Sequence, residues 1–404
     1  MSPIVSKRAR MTARALALGL LGLALGSGPA RAANPDTPEA FVTLSTTFMR
    51  TARVTGDPSY YDRAGAALDR ALAIDPSFYP AFRARAWVQM GRHRFRAALR
   101  TARAARRIAP RDWWNYGNLA DACTELGYYR GAAHATDRMM ALRPGVPAYT
   151  RVAALRALTG DRRGAIEALE LAFAASDPAD AEERAWILTY LGHERWALGD
   201  VGAAARMYEA ALVLVPGYHL ALPGLARTRA AEARLDDAIA LYERALAVAP
   251  TPSTAGALGD LYIATGNPSR ARGSYDLAMV MQRVAAARGQ SLGRDLAIFL
   301  ADHDHDLDEA VRLARAEAEV RDDVYTNDAL AWTLYKRGSL RAAKRAAARA
   351  LRLGTEEAAF HRHAQAIATA LDRPRAAARH ARSARALEPV DATAKTVHSR
   401  KEDA

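Results

Sequence analysis

Cysteine is almost missing from this sequence: Cys123 is the one copy in 404 residues, so no internal disulfide can form and the fold must be held by packing. Aromatic residues are scarce as well, 7% against 50% hydrophobic residues, which leaves alanine to supply most apolar contact. A glycine-rich phosphate loop, a paired-cysteine metal motif and a serine in a nucleophile elbow are all missing. The ten histidines fall in no recognisable catalytic arrangement. The expectation is a protein that is not an enzyme and has no cofactor.

Long apolar runs are missing except for one near the start. Residues 1–32 combine a cationic beginning (Lys7, Arg8, Arg10, Arg14), an apolar core over 15–26 and a small-x-small end at Ala30-Arg31-Ala32. That is the layout of a cleavable secretory signal. A spanning helix needs about 20 apolar residues, more than this run supplies, so cleavage after Ala32 is favoured over an anchor. The compact apolar core argues against a transit peptide. A linker at 33–38 follows, and the mature chain is expected outside the cytoplasm with no transmembrane span. Removing five cations (Lys7, Arg8, Arg10, Arg14, Arg31) and no acid lowers the net charge from +13 to +8. Cys123 does not follow the signal, so it is no lipid-attachment site. It stands four residues after Leu119 on one helical face and reads as a buried, inert thiol.

What is present is a period. The stretch 185–216 reads as two short amphipathic helices, one carrying Trp186, Leu188, Leu191, Gly192 and Trp196, the other Ala204, Tyr208, Ala211 and Leu212. Gly199-Asp200 breaks them and Pro216 ends the second. Such a hairpin cannot bury its own apolar face and needs copies on both sides. Pro76, Pro110 and Pro144 stand 34 residues apart, as do Pro216 and Pro250, and Ala350 and Ala384. Leu191-Gly192, Gly199, Ala204, Tyr208, Ala211 and Pro216 recur as Ala238, Tyr242, Ala245 and Pro250, and again as Leu258-Gly259, Gly266, Ala271, Tyr275 and Ala278. This pattern resembles the tetratricopeptide repeat family. The resemblance implies an all-α, right-handed superhelical solenoid of about ten helix-turn-helix units over 39–389, ending in a polar tail at 390–404.

Two places depart from the period. Ala172 to Ala211 is 39 residues, which puts a lengthened loop at 176–182. Ala278 to Ala350 is 72, which requires a divergent, lengthened unit at about 279–323, with helices expected over 284–300 and 307–320.

The resemblance also implies a scaffold that binds a peptide or flexible protein segment in the groove lined by first helices. The groove stripe is then Arg83, Trp87, Met90, Trp114, Asp121, Trp186, Thr189, His193, Trp196, Arg227, Asp260, Tyr325, Asp328, Trp332 and Tyr335, with the segment touching Trp87, Trp186, Trp196 and Trp332 in turn. The competing arrangement has these rings packing between neighbouring hairpins. A second class of function is ligand binding in the cell envelope. The run 302–309, with His303, Asp304, His305 and Asp306, offers imidazoles and carboxylates to a divalent metal, although consecutive loop residues point apart and an acidic helix start is expected there anyway. Arginines over 92–107 and 341–385 offer outward faces to anionic polymers, or simply form a solvated surface. Nucleic acid is not expected as a partner of an exported protein.

Overall fold

Each hairpin turn holds a residue in the left-handed conformation. In six turns it is a glycine, Gly56, Gly127, Gly160, Gly199, Gly266 or Gly338, in three it is His93, Ala233 or Asp372, and the turn at 303–306 holds two, Asp304 and Asp306. These ten turns join twenty helices in the computed structural model, which describes residues 36–287 and 293–387. The expected signal, residues 33–35 of the linker and the 390–404 tail lie outside the described residues. No strand occurs among the described residues.

The hairpins are α1 (Pro38–Thr55) with α2 (Ser59–Ile74), α3 (Tyr79–Gly91) with α4 (Phe95–Ile108), α5 (Trp113–Glu125) with α6 (Tyr129–Leu142), and α7 (Val146–Leu158) with α8 (Arg162–Ala175). Next come α9 (Ala181–Ala197) with α10 (Val201–Leu214), α11 (Ala221–Ala231) with α12 (Leu235–Val248), and α13 (Pro252–Ala264) with α14 (Pro268–Ala287). The last three are α15 (Gly293–Asp302) with α16 (Leu307–Val320), α17 (Val324–Lys336) with α18 (Leu340–Ala350), and α19 (Ala358–Ala370) with α20 (Pro374–Leu387).

Helix starts follow capping chemistry. Asp161, Asp200 and Asp306 each accept a backbone N–H three residues on, from Gly164, Ala203 and Glu309, and Thr251 does the same for Thr254 ahead of Pro252. Small residues set the packing distance. The Tyr208 ring of α10 is clamped between Gly192 of α9 and Gly224 of α11, where an added Cβ would come within 2.6 and 2.5 Å of it. Cys123 is buried, and burial pushes its thiol pKa up, consistent with an inert core residue.

Two expected boundaries shift. The first helix of the divergent unit begins at Gly293 rather than at 284, because α14 runs on to Ala287. Neither glycine nor proline stands between Tyr275 and Ala287 to stop it. The extra residues near 176–182 go partly into α9, which starts at Ala181 and is 17 residues long.

The array winds far enough for successive superhelical turns to touch. The hairpin turn at Gly127 meets Asp322, the turn at Gly160 meets Gly354, and the turn at Gly56 meets Ala249. In each case the turn of one hairpin rests on the loop that follows the hairpin five units on. Hydrogen bonds bind these layers: the Tyr129 hydroxyl accepts from the Val324 amide at 3.0 Å, and the Thr355 hydroxyl donates to the Leu158 carbonyl at 2.6 Å. A small apolar core of Leu158, Val324, Ala350 and Phe360 fills the junction.

Candidate functional site

The winding encloses a cavity of about 810 Å³. One wall is the inner face of α9, α11 and α13, contributing Tyr190, His193, Trp196, Arg227, Tyr242 of α12, Asp260 and Leu261. The other comes from much later in the chain: Tyr325, the segment 356–359, Arg362 and Leu387. Arg227 lies over the Trp196 ring, 4.3 Å from its centroid, and so pairs a cation with the largest aromatic of the wall.

A buried ion triad ties the two walls together. Arg162, 4% exposed, donates from Nη1 to Glu194 at 2.9 Å and from Nη2 to both Glu357 Oε1 and the Glu356 carbonyl at 2.7 Å. Burial works against its charge, but Glu194 and Glu357 outweigh that and hold its pKa above the ordinary value. The Glu194 pKa is raised as well: burial lifts it, and Arg162 offsets only part of the rise. His193 is held neutral. Burial, aided by the Arg227 cation, lowers its pKa to about 3, and its Nδ1 pairs with the Tyr208 hydroxyl at 2.8 Å.

Of the residues expected to line the groove, His193, Trp196, Arg227, Asp260 and Tyr325 meet in this cavity. The others lie on the first helices but are engaged with neighbouring units. Trp87 and Trp114 meet edge to face at 5.7 Å, and Arg83 faces Trp114 while pairing with Asp112 at 2.9 Å. Met90 packs onto the core formed by α3 to α6. Asp121 accepts from Arg151 of α7 at 2.8 Å. Trp186 stacks near Tyr190 at 4.1 Å and faces Arg53 of the first hairpin. Asp328 is buried against His363 at 2.9 Å, and Trp332 donates to Asp302 at 2.7 Å while stacking on Tyr335 and His363. Thus Trp196 alone of the five expected groove tryptophans lines the cavity.

The metal candidates diverge. His303 Nε2 turns to Asp260 at 3.1 Å, Asp304 is a left-handed turn residue and pairs with Lys336 at 2.7 Å, and Asp306 caps α16. His305 is exposed. Among the described residues no group of three or more His, Cys, Asp or Glu is placed to hold a metal.

Sequence reasoning missed Arg162, Glu194 and Glu357. Arg162 stands at the first position of a second helix, where a solvated arginine is the ordinary reading, and its partner Glu357 is 195 residues away.

Among known families, residues 221–256 match the tetratricopeptide repeat profile; they cover α11, α12 and the start of α13. No curated protein matches the chain. Solved structures similar to it include the APC/C hetero-tetramer Cut9-Hcn1, at 17% identity over 97% of this chain and 81% of that one, TM-score 0.42. A human IFIT1 dimer with PPP-AAAA aligns at 14% identity over 85% of this chain and 81% of that one, TM-score 0.49. A tetratricopeptide repeat protein from Parabacteroides merdae aligns at 17% identity over 60% and 93%, TM-score 0.41. Values this low carry no ligand or partner over. The matched repeat, the 34-residue period on both sides of it and the ten stacked hairpins together make this chain an all-α solenoid of tetratricopeptide-like helix-turn-helix repeats.

Proposed function

We propose that the protein is an exported scaffold that holds a peptide or flexible segment of a protein partner in the cavity between α9, α11, α13 and the last hairpin. The observation that carries this reading is the wall itself: Trp196 under Arg227, flanked by Tyr190, Tyr242 and Tyr325, concentrates aromatic area and a cation at one concave place. Residues of these types dominate protein–protein hot spots, because they bury much area at low entropic cost and add directional polar contacts. Helical repeat arrays create extended concave surfaces that serve as interaction scaffolds, which supports a binding role. Export is proposed on the cationic start and short apolar run of residues 1–32.

Selection from a displayed peptide library on the mature protein tests the site. Retained peptides are expected to lose affinity on the order of 30-fold or more with Trp196→Ala, a loss of about 2 kcal/mol, without a matching drop in melting temperature. Peptides that bind Trp196→Ala and Arg227→Ala as well as the parent would remove the cavity as the site. Export is tested separately by intact mass: a secreted product beginning elsewhere than near Ala33, or no processing, would remove that part.

A further inference from the structure

The exposed stripe of the second helices changes character along the array. Counting from the left-handed turn residue, the tenth position carries an exposed acid in five consecutive hairpins: Asp137, Glu170, Glu209, Glu243 and Asp276. In the last two hairpins the same position is Ala348 and Arg382. Neither α18 nor α20 contains any Asp or Glu, so two successive second helices are acid-free; α4 is acid-free too but stands alone between α2 and α6, which carry Asp62, Asp69 and Asp137. The 34-residue period places Arg341 and Arg375, and likewise Arg345 and Arg379, at equivalent points of successive second helices. With Lys344 and Arg382 these form two outward stripes at helical spacings of three and four. All six side chains are exposed, and none forms an ion pair with an acid among the described residues, whereas Arg229 and Arg270 from earlier hairpins pair with Glu209 and Glu243.

We propose that the outer face of α18 and α20 docks electrostatically on a bilayer surface rich in anionic phospholipid. Alanines lie between the cations, the one ring on these two helices, His380, is half-buried and paired with His361, and no large apolar side chain stands exposed to anchor a folded partner. A layer of phosphate headgroups requires neither. It presents negative charge across a plane, which suits cations spread over two adjacent units. No helix among the described residues is long and apolar enough to cross a membrane, so the contact is peripheral.

The test is co-sedimentation of the mature chain with vesicles of phosphatidylcholine containing about one third phosphatidylglycerol, against pure phosphatidylcholine, at roughly 0.1 M and 0.5 M salt. Binding is expected to the anionic vesicles at low salt and to vanish at high salt. A juxtamembrane cation contributes roughly fivefold to partitioning, so Arg375→Ala/Arg379→Ala/Arg382→Ala together should weaken it roughly a hundredfold. Because these side chains are exposed, circular dichroism should be unchanged. The matched control removes Arg96, Arg100 and Arg103, which occupy the corresponding positions on α4, and should keep most of the binding. No association at low salt, an undiminished partition of the α20 variant, or an equal loss in the α4 control would each overturn the proposal. Preferential binding of single-stranded DNA over the vesicles would overturn it as well.

Discussion

Arg162 and Glu357 lie 195 residues apart in the chain and 2.7 Å apart in space. Their contact closes the cavity, since Glu357 comes from the far wall and Glu194, the other partner of Arg162, from the near one. Arg162→Ala would leave the buried Glu194 without its cation. A loss of about 3–5 kcal/mol is expected, read as a lower melting temperature. Small-angle scattering should show an increased radius of gyration as the superhelical turns part. A stable, equally compact variant would mean that the triad does not hold the layers together.

His193 makes stability depend on pH. Its folded pKa of about 3 lies below the ordinary 6.5, so the unfolded chain takes up a proton that the folded one refuses. The contribution is therefore complete above pH 6.5 and is lost progressively as the pH falls toward about 3, on the order of a few kcal/mol in all. Comparing melting temperatures of the parent and His193→Gln between pH 7 and 4.5 isolates this residue. The variant should lose less on acidification; parallel curves would show that the imidazole is not held neutral.

Ala233 occupies a hairpin turn at φ 60°, where six other turns use glycine. A side chain in this region is strained, so Ala233→Gly should stabilise by about 0.5–1 kcal/mol. The reverse change, Gly199→Ala at φ 80°, should destabilise by a similar or larger amount. Thermal melts of the two variants moving in the same direction would contradict the turn assignment.

Gly192 and Gly224 leave no room beside Tyr208. Gly192→Leu should cost roughly 1–3 kcal/mol or more through overpacking, and Tyr208→Ala in the same chain should recover part of it. Additive losses in the double variant would show that the ring and the glycine are not in contact.

The hairpins were legible in the sequence because their packing leaves local marks: Tyr208 opposite Gly192, and Pro216 after the second helix, follow from helix geometry alone. His93, Ala233 and Asp372 were not legible as turn residues, because only glycine strongly advertises a left-handed conformation, whereas the turn at Asp304 was placed by the helices expected on either side of it. The near wall of the cavity could be anticipated from His193, Trp196, Arg227 and Asp260, which share one helical stripe. Of the far wall only Tyr325 stood on the expected stripe, and its meeting with the near wall could not be anticipated. Which late unit faces α9 depends on how many hairpins complete a superhelical turn, and that number is the sum of many small rotations that no short motif encodes.

Repeat arrays whose units touch only their neighbours can gain or lose a unit with little effect elsewhere. Here the turns at Gly56, Gly127 and Gly160 each rest on the loop five units later. Insertion of one hairpin between the fifth and sixth units would slide all three onto the wrong loops and separate Arg162 from Glu357. The layering thus fixes the number of units between the contacting turns and loops, so that this part of the array can change by substitution within its units but not by duplication of one of them.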